Sequence, residues 1–131
     1  MSENVLIITV PIPKHNVNKV QRTAKIGSFH KKKDVENAKA SAQKAMSELQ
    51  CNYGLPWANA TIHVRWFHPT KNLRDRWNCV ACLKGTVDGI VRQGVLVDDD
   101  LIQPPTVERL VDKNNPRVEL YIVEFLGEAY P

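Results

Sequence analysis

The stretch "LRDRWNCVACLKGTVDGIVRQGVLVDDD", residues 73–100, gathers the side chains best suited to chemistry. Asp75 opens it, Lys84 and Asp88 lie within it, and Asp98, Asp99 and Asp100 close it. Hard divalent cations bind carboxylate oxygens, and Mg²⁺ takes only one or two of them while keeping several waters. Asp75 with one member of the Asp triplet meets that need. Lys84 and Asp88, one helical turn apart, add a cation and a further carboxylate. An ion held this way activates water and stabilises the charge that builds on a phosphate under attack. A neighbouring lysine stabilises the same charge. Each feature also has a plainer reading. An Asp triplet suits a solvated turn, Lys84 and Asp88 suit an exposed pair worth about a few tenths of a kcal/mol, and Asp75 suits a helix dipole.

Val80, Leu83, Val87, Ile90 and Val91 fall at helical spacing, which predicts an amphipathic helix from Asn78 to about Gln93. Gly94 is a natural stop. Such a helix is roughly 24 Å long at 1.5 Å per residue. Asp75 and the Asp triplet therefore meet only if the chain turns at Gly94 and runs back, or if the helix begins later. Before this segment, Val5 to Val10 reads as a strand closed by Pro11 and Pro13. Residues 14–33 are polar and basic without sustained periodicity, and read as a long mobile loop. Asp34 then caps a helix whose apolar stripe is Val35, Ala38, Ala42, Ala45, Met46 and Leu49. "NATIHVRWFHP" is a strand with Ile62, Val64 and Trp66 on one face and His63, Arg65 and Phe67 on the other. "TVERLVDKNNPRVELYIVE" reads as a terminal β-hairpin. The expectation is one α+β domain over residues 1–131, a small mixed or antiparallel sheet packed by two helices.

The 131 residues carry a net charge of +4 and a pI of about 9.1. The charge is uneven. Residues 1–33 hold seven Lys and Arg against Glu3 alone, +6, which leaves the remainder at −2. Lys14, Lys19, Arg22, Lys25, Lys31, Lys32 and Lys33 are therefore the candidate contacts to a DNA backbone. Phe29 could wedge among bases or anchor the loop by packing. The absence of a signal pattern or a membrane-length apolar run points to the cytoplasm. Cys51, Cys79 and Cys82 make no disulfide framework. Cys79 and Cys82 form a C-x-x-C, but zinc needs two more ligands, and His63 and His68 sit on another element. Small, half-buried helix residues are the expectation for both cysteines. Trp57, Trp66 and Trp77 are expected in the core or an interface rather than as base-stacking platforms.

Taken together, Arg74, Asp75, Asn78, Lys84, Asp88-Gly89-Ile90 and Gly94 to Asp100 resemble the signature of the RusA family of Holliday junction resolvases. The likeness is close over roughly the central quarter of the chain, and the element order around it is compatible. It implies a homodimer that binds four-way DNA junctions and makes paired cuts with Mg²⁺ or Mn²⁺, in a bacterial or phage-infected cell. It implies that Asp75 and Asp99 are acidic ligands, that Lys84 is the catalytic lysine and that Asp88 is the acid one turn beyond. Arg74 and Arg76, flanking Asp75, join the DNA-binding set. There is one departure, because many members carry a second Asp two positions after the first, where this chain has Trp77. Asp88, Asp98 or Asp100 could supply the missing ligand, water could fill it, or the chain could bind junctions without cutting them.

Overall fold

The computed structural model describes residues 4–14, 24–49, 54–101 and 103–127, the side chains of 24–29 excepted. Its elements are β1 (Val5–Val10), α1 (Ala24–Ser47), β2 (Ala60–His68), α2 (Arg76–Cys82), α3 (Lys84–Arg92), β3 (Thr106–Val111) and β4 (Arg117–Glu124). They build an α+β fold on one four-stranded mixed sheet of order β1-β4-β2-β3. β4 runs antiparallel to both β1 and β2, and β3 pairs with β2 in parallel. The parallel pair requires a crossover, and α2 and α3 supply it.

Alternation along the strands sets the layers. Leu6, Ile8 and Val10 of β1, Ile62, Val64 and Trp66 of β2, and Val118, Leu120 and Ile122 of β4 are all buried. They form one core with Ala38 and Ala42 of α1 and with Cys79, Cys82, Leu83, Val87 and Ile90 from the crossover. The expected stripe of α1 is borne out, with Ala45, Met46 and Leu49 packed at its edge. Two glycines let the helices approach. A Cβ on Gly89 would stand 2.5 Å from the Val35 carbonyl oxygen and 2.7 Å from the Ala38 Cβ. One on Gly85 would stand 3.0 Å from the Asp34 Cβ.

Four expectations are corrected. First, α1 begins at Ala24, so the second half of the expected loop is helical. Residues 15–23, with Lys19 and Arg22, lie outside the described residues. Second, Asp34 is not a cap but a buried mid-helix carboxylate that accepts the Lys14 backbone N–H at 3.0 and 3.2 Å. With its side chain committed to Lys14 and its Cβ packed on Gly85, the helix continues past it. Third, the single helix over 78–93 is two helices that meet at Leu83. There the Leu83 N–H reaches back only three residues, to the Val80 carbonyl at 3.1 Å, a tight turn that keeps the apolar spacing intact. Fourth, β3 and β4 form no hairpin, because β2 lies between them. The turn itself is present. Asp112 accepts the N–H groups of Asn114 and Asn115 at 3.2 and 3.1 Å and pairs with Arg117 at 2.8 Å. It carries the chain over one strand instead of back onto its neighbour, a step of about 10 Å at the usual strand spacing.

Among the described residues, no helix is long and apolar enough to cross a membrane.

Candidate functional site

Gly94 ends α3 with φ +92°, in the left-handed region that glycine adopts without strain. The chain then runs back. The Val97 N–H donates to the Trp57 carbonyl at 3.0 Å, and the Trp57 N–H donates to the Val95 carbonyl at 2.9 Å. Trp57 is 1% exposed, so this tether is fixed in the core. It delivers Asp99 to the start of α3, where the ammonium of Lys84 donates to Asp99 Oδ2. Lys84 Nζ also lies 3.3 Å from Asp88 Oδ1, and Lys31 Nζ of α1 lies 3.4 Å from Asp88 Oδ2. The return that the sequence left open is therefore made. Four of the expected site residues, Lys31, Lys84, Asp88 and Asp99, meet in one chain of ion pairs.

The electrostatics follow from that contact. The hydrogen bond from Lys84 holds the Asp99 carboxyl below its ordinary value, and the bond to Asp99 raises Lys84. Lys84 is thus a cation at neutral pH, suited to stabilising negative charge and unsuited to taking a proton. Asp98 accepts the Asp99 backbone N–H at 2.6 Å, which orients the triplet, while Asp100 is exposed. Among the described residues, no three His, Cys, Asp or Glu side chains are grouped to hold a metal ion. Asp88 and Asp99, bridged by Lys84, are the carboxylates that could hold a water-rich Mg²⁺, which needs only one or two.

Asp75 has a different position. It caps α2, with Oδ1 accepting the Asn78 N–H at 2.9 Å and Oδ2 accepting the Asn78 side-chain amide at 2.8 Å. Among the described residues it shares no hydrogen-bond partner with Asp99. Its surroundings are built by His68, Arg74 and Arg109. His68 is 5% exposed. Its Nδ1 faces the Leu110 carbonyl at 3.2 Å and its Nε2 faces the Arg74 N–H at 3.1 Å. Only the neutral ring with its proton on Nδ1 satisfies both. Burial accordingly lowers its pKa, and Arg74 and Arg109 act in the same direction. Arg74 is half-buried, donating to Cys82 Sγ at 2.8 Å with its guanidinium 5.3 Å from the Trp66 ring. Arg109 donates to the Arg74 carbonyl at 3.5 Å. The inward placement of His68 could have been found, since the alternation that turns Ile62, Val64 and Trp66 inward also turns His68 inward.

Cys79 and Cys82 are helix packing residues, fully buried where half-burial was expected, and burial pushes the Cys79 thiol up to about 11. His63 lies on the opposite face of β2, bonded to Thr106, so it cannot join them. Trp57 and Trp66 are core residues as expected, whereas Trp77 is 83% exposed. Lys14, Lys32, Lys33 and Arg76 are exposed, and the Lys25 side chain lies outside the described residues. Beside Lys84 and Asp99 opens an apolar cleft of about 410 Å³, walled by Val80, Leu83, Val87 and Leu101. No family model and no curated protein matches the chain, so its likeness to a known family rests on the residues of 73–100 alone.

Proposed function

We propose that the protein is a metal-dependent, structure-selective endodeoxyribonuclease that cuts four-way DNA junctions. The observation that carries this reading is the Lys84 ammonium held between the carboxylates of Asp99 and Asp88, with Lys31 beside them. A protonated lysine among carboxylates matches the demands of phosphodiester hydrolysis, in which charge on phosphate oxygens must be balanced as it grows. Asp99 and Asp88, with Asp98, Asp100 or Asp75 contributing through water, would hold Mg²⁺ or Mn²⁺. That ion supplies an activated water and a counter-charge. Lys84 supplies a fixed donor for a phosphate oxygen, and Lys31 to Lys33, in the first half of α1, supply contacts to the neighbouring backbone. The motif of residues 73–100 adds the branched substrate and the homodimer. A junction offers two strands to cut, which a two-fold assembly matches.

The second reading is a protein that binds junctions without cutting them. It draws on Trp77 at a position where the motif carries an acid, and on the absence of a three-ligand group among the described residues. A labelled synthetic four-way junction, incubated with purified protein with and without Mg²⁺, separates the two. Paired nicks that require the metal support the nuclease. Tight binding without products supports the binder.

A further inference from the structure

Trp77 is the most exposed of the large hydrophobic side chains described, at 83%, while Trp57 and Trp66 are each 1% exposed. Residues three and four apart on a helix share a face. Trp77 therefore stands one turn ahead of Val80 and Ala81, which line the apolar cleft of about 410 Å³ beside Lys84 and Asp99. Cations stand at both ends of this path. Arg76 precedes Trp77, is exposed, and uses only its Nε, at 3.4 Å from the Val107 carbonyl, among the described residues. Lys84, paired with Asp99 and Asp88, closes the other end. Cation, aromatic ring, apolar cleft and cation is an arrangement complementary to a single nucleic-acid strand, whose phosphates alternate with flat, partly apolar bases.

We propose that Trp77 and the adjoining cleft bind an unpaired nucleobase of the strand whose phosphate lies at Lys84. The proposal rests on the nucleic-acid reading above and deepens it: the enzyme would select its substrate by the unstacked base at a branch point. Stacked bases in intact duplex present edges, not faces, so duplex offers Trp77 nothing to stack on. A second copy of the chain is the weaker occupant. Stable interfaces bury about 800 Å² on each partner, and the exposed Val5 and Ile7 lie on β1, at the far edge of the sheet, while the exposed Val111 of β3 is four residues, about 13 Å, beyond Val107, to which Arg76 is bonded. Trp77 thus extends no broad apolar surface that includes them.

Because the other two tryptophans are buried, acrylamide quenching of the whole protein reports mainly on Trp77. The test is a metal-free titration with an oligothymidine strand and with a paired duplex of equal length, for wild type, Trp77→Ala and Trp77→Phe. Trp77 should become shielded from acrylamide on the single strand and remain accessible on the duplex. Trp77→Ala should bind the single strand about tenfold to a hundredfold more weakly, Trp77→Phe should recover most of that, and duplex affinity should not change. Trp77 is exposed, so equal melting temperatures are expected and confirm that the variants fold. Unchanged single-strand affinity in Trp77→Ala, or Trp77 still accessible at saturation, overturns the proposal. Shielding that grows with protein concentration before DNA is added overturns it in favour of a second copy. Junction cutting with Mg²⁺ is scored separately. A wild type that cuts while Trp77 proves inert removes this proposal alone, and one that stacks bases without cutting removes the nuclease reading alone.

Discussion

Lys84 is the residue on which the proposed chemistry turns. Its ammonium is fixed by Asp99 and Asp88, and the bond to Asp99 raises its pKa, so it enters any reaction as a cation. Lys84→Ala should slow junction cleavage by about a hundredfold or more, a larger loss than that of junction affinity, as read by single-turnover kinetics and a binding titration. Asp75 poses a sharper question, because it caps α2 and matches an acidic motif position at once. Asparagine caps helices as well as aspartate. Asp75→Asn should therefore keep the melting temperature of wild type and still lose cutting, whereas a residue that only capped the helix would lose neither. His68 sets the pH behaviour. Burial holds its folded pKa below the ordinary value of 6.5. As pH falls below 6.5 the unfolded chain takes up a proton that the fold resists, so the stability from the neutral ring is full above that value. It falls as pH drops through the folded pKa. Urea unfolding between pH 7.5 and 5 should show this loss in wild type. His68→Gln should be less stable at pH 7.5 but lack that part of the slope.

The elements exist to bring α3 against α1 and to return the chain to it. Gly89 is the point of closest approach, and a methyl group there meets backbone, the Val35 carbonyl at 2.5 Å, rather than a side chain that can swing away. Gly89→Ala should cost about 1–3 kcal/mol by overpacking and loosen the Lys31–Asp88 pair, both measurable by urea denaturation and by the salt dependence of stability. Gly94→Ala meets no atom within 4 Å but places alanine at φ +92°. Its cost should be about 1–2 kcal/mol of backbone strain alone. The strands, the stripe of α1 and the turn at Gly94 were legible because period-2 and period-3.6 patterns and a left-handed glycine are written locally. The break at Leu83 was not, since Val80, Leu83, Val87 and Ile90 keep helical spacing straight through it. The start of α1 was misplaced because Asp34 has a capping side chain, and only the tertiary contact to Lys14 shows that it is spent elsewhere. The hairpin failed for the same reason. Asp112, Asn114 and Asn115 announce a turn, but nothing in them tells whether the next strand lands beside β3 or beyond β2. At the site, Lys84, Asp88 and Asp99 were readable from acids and spacing, and the inward turn of His68 from strand alternation, while the partners of Trp57, His68 and Arg109 are tertiary and carry no local mark.

At the scale of the whole molecule, charge is partitioned. The +6 of residues 1–33 sits against a body of −2, and Lys31 reaches Asp88 to join the two regions. Lys32 and Lys33, beside it on α1, are exposed to solvent. Neutralising Lys31, Lys32 and Lys33 together should weaken junction binding and flatten its salt dependence, by about 0.9 in the log–log slope for each phosphate no longer neutralised. An unchanged slope would move the DNA path elsewhere. The claim that joins residue, element and molecule is that the turn at Gly94 and the tether at Trp57 deliver Asp99 to Lys84 to build a phosphoryl-transfer site. Asp99→Asn tests it most directly, since the amide keeps the shape and removes the charge. Single-turnover cleavage of a labelled four-way junction in Mg²⁺, at saturating protein, should fall by about a hundredfold or more with junction affinity equal to or tighter than wild type. Cleavage at the wild-type rate would contradict it and leave Asp99 as no more than the surface partner of Lys84.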